Sequence, residues 1–207
     1  MKNLFTICAL AALVAAGCGN SKPEKKVNPN LPTSMILSAK PADAKSVTAI
    51  KDSAKPGDDV TITGIVGGKK DNVLGNKAAI MFIMDEGIGL SCAPNSDCGC
   101  KTPWDYCCSP QNVIARNIAT VKFMKDGKVI TGNCENFAGL KPFSRVFIKG
   151  KVNKLENGGL TVIAEKIFVE QIPMKELTSM YRKPAGKKGH GHKHEHKHKH
   201  CSGGCKH

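Results

Sequence analysis

The sequence predicts a mainly β protein: one small five-stranded barrel with a Cys-rich insertion loop and one or two short helices, set between disordered tails. Three observations carry that expectation. Five short segments combine β-branched residues with alternating apolar and polar positions, and Gly, Asn and Asp turns separate them. The formal charge of +14 belongs mostly to the tails, since residues 31–181 hold 19 basic against 15 acidic side chains. Ten Cys accompany only ten aromatic residues, so a folded part of about 140 residues has a modest core and many thiols to accommodate.

Along the chain, Met1-Lys2-Asn3 is a short positive start, and residues 4–16 form an apolar run of 13 residues. That run is too short to span a bilayer and right for the core of a signal peptide over 1–17. Residues 18–45 read as a tether, because GNSKPEKKVNPNLPTS brings Pro, Asn and charge without an apolar period. The folded domain is expected over 46–173. Its first strand is VTITGIV at 60–66, after the turn Lys55-Pro56-Gly57-Asp58, and its second is AAIMFIMD at 78–85. A loop over 86–117 follows, in which no regular element is expected. ATVKFM at 119–124 meets Asp126-Gly127 and returns at 129–131 as a hairpin. Asn133 is placed to cap a short helix before Pro142. SRVFIKGKV at 144–152 and LTVIAEKIFV at 160–169 flank Asn157-Gly158-Gly159 as a second hairpin. Residues 174–182 suit a short helix after Pro173, and 183–207 a disordered tail.

Three strands, a short helix and a two-strand hairpin follow the order of an OB-type barrel, and GDDVTITGIV with SRVFIKGKVNKLENGGLTVIAEKIFV resembles the first and last strands of bacterial OB-fold modules. A small antiparallel sandwich is the alternative. The resemblance implies an oligonucleotide- or oligosaccharide-binding face, yet nucleic acid is disfavoured. Stacking needs exposed aromatics among cations, whereas Phe82, Phe123, Phe147 and Phe168 fall at core-like strand positions. Ala15-Ala16-Gly17-Cys18 resembles the lipobox of bacterial lipoproteins, which implies acylation of Cys18 and anchoring to a membrane of the bacterial cell envelope. Gly19 after the Cys is compatible with sorting to an outer membrane where one is present. Ordinary cleavage after Ala16 is the alternative, and it leaves Cys18 unpaired.

The 86–117 loop holds Cys92, Cys98, Cys100, Cys107 and Cys108, and with Cys134 they make six Cys in the domain. In an exported chain an even count favours disulfides, whose fifteen possible pairings the sequence leaves open. A thiolate metal cluster and a thiol-redox role are the sharper alternatives; the spacing lacks paired CxxC, and Asp97 and Asp105 would raise a nearby thiol pKa. Trp104 and Tyr106 are candidate ligand contacts for carbohydrate stacking, with packing in the loop as the favoured role of Trp104. The segment TPWDYCC at 102–108 also resembles one in uncharacterised bacterial exported proteins.

No catalytic set stands out. All seven His lie at 190 and beyond, so the domain has no imidazole base, and the carboxylate pairs Asp58-Asp59 and Asp85-Glu86 read as solvated turn charges. An enzyme is not expected. The tail is chemically legible: His190, His192, His194, His196, His198 and His200 alternate, followed by Cys201, Cys205 and His207. Imidazole and thiolate together suit Zn, Ni or Cu. The expectation is therefore an envelope lipoprotein whose tail binds a transition metal for buffering or delivery. Its partners would be the membrane, the metal, and another envelope protein or a glycan. A barrel that binds a glycan, a protein or another ligand, with the tail as a charged appendage, is the alternative.

Overall fold

The computed structural model describes residues 28–86, 88, 101–106, 109–156 and 159–181. It is mainly β, as the sequence predicts. Among the described residues six strands run in chain order: β1 (Asp59–Val66), β2 (Ile80–Met84), β3 (Ile118–Lys125), β4 (Lys128–Val129), β5 (Arg145–Glu156) and β6 (Gly159–Glu170). Five of them close into a barrel. β1 pairs antiparallel with β2 and β5, β2 with β3, and β5 with β6, and the parallel pairing of β3 with β6 completes the ring. β4 is an extra, two-residue strand on β3, returned by the Asp126-Gly127 turn with both residues at positive φ. The closed ring leaves no free edge among its five strands, which suits short strands that could not stand alone.

The alternation read in the strands is the alternation that packs. β3 shows an in-out pattern in which Ala119, Val121 and Phe123 are buried, and in β6 Leu160, Val162 and Ala164 are buried. Ile62, Met81, Ile83, Ile148 and Val152 join them in one continuous core. β5 turns the barrel corner at register shifts between Lys149 and Gly150 and between Val152 and Lys154. Gly150 sits at the first shift with no room for a side chain, since a Cβ there would lie 2.0 Å from the Ile163 carbonyl oxygen.

Among the described residues three short helices surround the barrel, one or two having been expected: α1 (Val47–Ser53), α2 (Gln111–Asn117) and α3 (Met174–Tyr181). α2 lies inside the segment expected to be irregular. The helix expected after Asn133 is a single 3-10 turn, Phe137–Gly139, with Ala138 at φ 50°. Phe137 and Leu140 from this turn are buried in the core, and Phe137 meets Phe123 edge-on at 6.0 Å.

The expected tether also differs. Residues 28–45 lie along the barrel rather than leading to it: Leu31 and Met35 are buried, and the Leu37 N–H donates to the Ile167 carbonyl at 2.8 Å. Lys45 exchanges backbone hydrogen bonds with Thr61 and Thr63 of β1, both at 2.9 Å. Apolar Leu31 and Met35 are spaced widely enough among Pro and polar residues that no period betrays them, yet both are buried against the barrel, while Ile36 stays 40 % exposed.

Candidate functional site

Most of the residues singled out in the sequence fall outside the described ones: Cys18, the five loop cysteines Cys92, Cys98, Cys100, Cys107 and Cys108, and the whole tail from His190 to His207. Three candidates are placed, namely Trp104, Tyr106 and Cys134.

Cys134 departs from its expected place among the bridge partners. It is a free, fully buried thiol in the core cluster, with its backbone N–H donating to the Leu74 carbonyl at 2.8 Å. Burial pushes its pKa up to about 12, so it is neutral and a poor nucleophile. The even count that favoured six-way pairing therefore becomes five in the loop, an odd number.

Trp104 and Tyr106 belong to a 3-10 turn, Pro103–Asp105, that rests on the Gly67-Gly68 corner at the end of β1. The Gly68 N–H donates to the Trp104 carbonyl at 2.8 Å, and a Cβ at Gly67 would lie 2.8 Å from that same oxygen. The close approach of two backbones explains why glycine stands there. Thr102 Oγ1 donates to Asp105 Oδ2 at 2.8 Å, closing the turn. Tyr106 takes a left-handed backbone at φ 56° and is 2 % exposed, packed with Ile65, Met84, Ile172 and Leu177. It is a core residue. Trp104 is half-buried: its ring meets Phe143 edge-on at 6.2 Å, and Nε1 donates to the Lys70 carbonyl at 3.4 Å. Packing holds one side of the indole, while the other borders a groove beside the β1–β2 loop.

Two charged residues to which sequence reasoning gave no structural role organise the same end of the molecule. Asp85, expected as a solvated turn charge, is 5 % exposed. Its carboxylate accepts hydrogen bonds from the N–H groups of Val47 and of Thr48, the latter at 2.9 Å, at the start of α1. Its own N–H donates to the Asn117 carbonyl at 3.0 Å, at the end of α2. A carboxylate facing the unsatisfied N–H groups of a helix start is where such a charge is favoured. Arg145, at the start of β5, is ringed by Glu86 (2.7 Å), Glu170 (3.2 Å) and Glu176 of α3 (3.1 Å), with 14 % of its side chain exposed. Burial disfavours its charge, but hydrogen bonds to the three carboxylates outweigh that and raise its pKa. Ile172 and Leu177 pack beneath, so α3 is held by one apolar contact and one polar latch.

The aromatics of the strands bear on nucleic acid. Phe123 is fully buried, Phe147 and Phe168 are edge-on cross-strand neighbours at 6.1 Å with Lys40 over Phe147, and half-buried Phe82 lies under Lys69. Each is engaged within the fold. Comparison with known families and with curated proteins returns no match for this chain.

Proposed function

We propose that this chain is a lipid-anchored envelope protein whose C-terminal segment captures a transition metal as cargo, for buffering or delivery. The single observation that carries the reading is the alternation of six His over 190–200, followed by Cys201, Cys205 and His207. Imidazoles at alternate positions offer several donors close together in the chain, and two thiols add soft donors for Zn or Cu. The folded body supports the reading by its division of labour. Among the described residues no group of three or more His, Cys, Asp or Glu side chains is arranged to hold a metal. α3, latched through Glu176 and ending at Tyr181, gives the segment a fixed point of departure.

The test compares the full chain in detergent with a chain ending at residue 186, each titrated with Zn, Ni and Cu against a chromophoric chelator. Several equivalents bound by the full chain, and none by the shortened one, is the expected result. Retention of metal after shortening would move the site to the 92–108 cysteines, and no binding by either chain would overturn the proposal. Membrane partitioning of the full chain, lost on Cys18→Ala, tests the anchor separately.

A further inference from the structure

A second site, independent of the tail, is formed on the barrel itself. Between the β1–β2 loop, the Pro103–Asp105 turn and the segment after β4 lies an open groove of about 370 Å³, bordered by Lys70, Asn72, Asn76, Trp104, Asn133 and Glu135. Its volume falls within the range of small-ligand clefts, roughly 300–1,000 Å³. We propose that this groove binds a neutral oligosaccharide, with one pyranose ring against the indole of Trp104.

The chemistry of the rim sets the ligand class. Trp104 offers a large amphipathic ring whose position is fixed on its inner side by Phe143 and by the bond from Nε1 to Lys70. A sugar presents an apolar C–H face to such a ring and a fringe of hydroxyls to everything else. Each hydroxyl is both donor and acceptor, and a side-chain amide answers both roles. Asn72 and Asn76 are exposed on the rim, where their side-chain amides can meet a ligand. Glu135 adds an acceptor and Lys70 a donor, and their opposite charges leave the rim with no net charge. That balance disfavours phosphate and nucleic acid, which need an excess of cations.

The groove is also built in advance. Val73 and Leu74 of its floor are buried, and the backbone around them is pinned: Phe82 N–H to Val73 O at 3.0 Å, Cys134 N–H to Leu74 O at 2.8 Å, and Gly75 N–H to Asn72 O at 2.8 Å. Asn72 and Gly75 both sit at positive φ, at 57° and 76°, and a Cβ on Gly75 would lie 2.2 Å from the Ala78 carbonyl oxygen. A loop tied so tightly has little entropy left to lose on binding. The groove also differs from the outer face of β2 and β3, the surface the OB resemblance points to, where Phe82 lies under Lys69.

The chain contains one Trp, so all indole emission comes from the side chain that borders this groove. The full chain in detergent is titrated with maltotetraose, cellotetraose and the β-1,4-linked N-acetylglucosamine tetramer, up to about 10 mM each, a ceiling set for millimolar affinity. A saturable change in Trp104 emission with at least one of them is expected. Asn76→Ala and Glu135→Gln should each weaken the affinity at least about tenfold while leaving the thermal midpoint in place. No saturable change with any of the three overturns the proposal. So does binding that both variants leave unaltered, and so does a tighter response to a ten-residue oligothymidylate. Shortening the chain at residue 186 separates the two sites, because it removes the tail's metal binding and leaves the sugar response intact.

Discussion

Asp85→Ala is the substitution that most directly tests how the barrel's surroundings are held. The carboxylate accepts from two N–H groups at the start of α1, in a position 5 % exposed and next to fully buried Val47. Hydrogen bonds to a charged acceptor contribute about 1.5–3 kcal/mol each, and loss of a helix cap costs about 1 kcal/mol where the site is open to water. Removing the buried charge also relieves its desolvation, which places the net loss near the lower bound for two bonds, about 3 kcal/mol. For a folded body of this size that is a fall of about 6–12 °C in thermal midpoint. Asp85→Asn keeps one acceptor oxygen and should lose about half as much. Urea unfolding at pH 7, followed by far-UV circular dichroism and Trp104 emission, measures both variants. An Ala variant within about 0.5 kcal/mol of the parent, the scatter of ordinary surface substitutions, would refute the capping role. An Asn variant less stable than the Ala variant would refute it equally.

Gly150→Ala forces a methyl group against the Ile163 carbonyl at the barrel corner and should cost more than about 3 kcal/mol, read as loss of soluble protein or of the unfolding transition. Burial raises the pKa of Glu170, but its hydrogen bonds to Arg145 and Lys40 outweigh that and lower it. Its contribution is therefore complete above the ordinary Glu value of about 4.3 and lost as pH falls through the lowered one; Glu170→Gln should flatten the urea midpoint between pH 5 and 3. Cys134, with its pKa pushed up to about 12, stabilises the fold fully below the unfolded thiol value of about 8.5 and progressively less above it. The native chain should leave Cys134 unmodified by N-ethylmaleimide at pH 7, urea should expose it to the reagent, and Cys134→Val should reduce the alkaline loss of stability. Modification of the native thiol within minutes would refute its burial.

The strands were legible because their information is local. Val, Ile and Thr at alternate positions in VTITGIV or ATVKFM specify a half-buried strand wherever it lies, and the barrel order follows from counting them. α1 was only partly legible. Ser46 is a local N-cap whose Oγ accepts from the Ala49 N–H at 3.2 Å, but Val47 and Thr48 are β-branched, and the carboxylate that also meets the first N–H groups stands 37 and 38 residues away, at Asp85. α2 begins at Pro110 with no side-chain cap and sits amid cysteines that draw attention to loop chemistry. It is held through Arg116 on Asp52 and Lys51 on the Ala115 carbonyl, both contacts with the region of α1. In the candidate groove, Trp104 announces itself by rarity, but Asn72 and Asn76 read as loop residues and Asn133 as a helix cap until folding brings their segments together. The parity of the cysteines misled in the same way, since counting thiols says nothing of which one the core takes in.

The strap at residues 28–37 has a mechanical consequence. Asn28 is buried, its side-chain Nδ2 donates to the carbonyls of Thr131 and Asn133 at 2.9 Å each, and glycine at 132 makes the room for it. On the proposed anchor at Cys18, the ten residues from there to Asn28 could span at most about 36 Å, close to the diameter of a domain this size. The body would then ride on a short mooring and sweep only a thin layer above the surface. Any pull along the chain from its N-terminal side would enter at the Asn28 cleat and, further along the strap, at the Leu37-to-Ile167 bond, so the strap would take the strain before the strands that close the barrel.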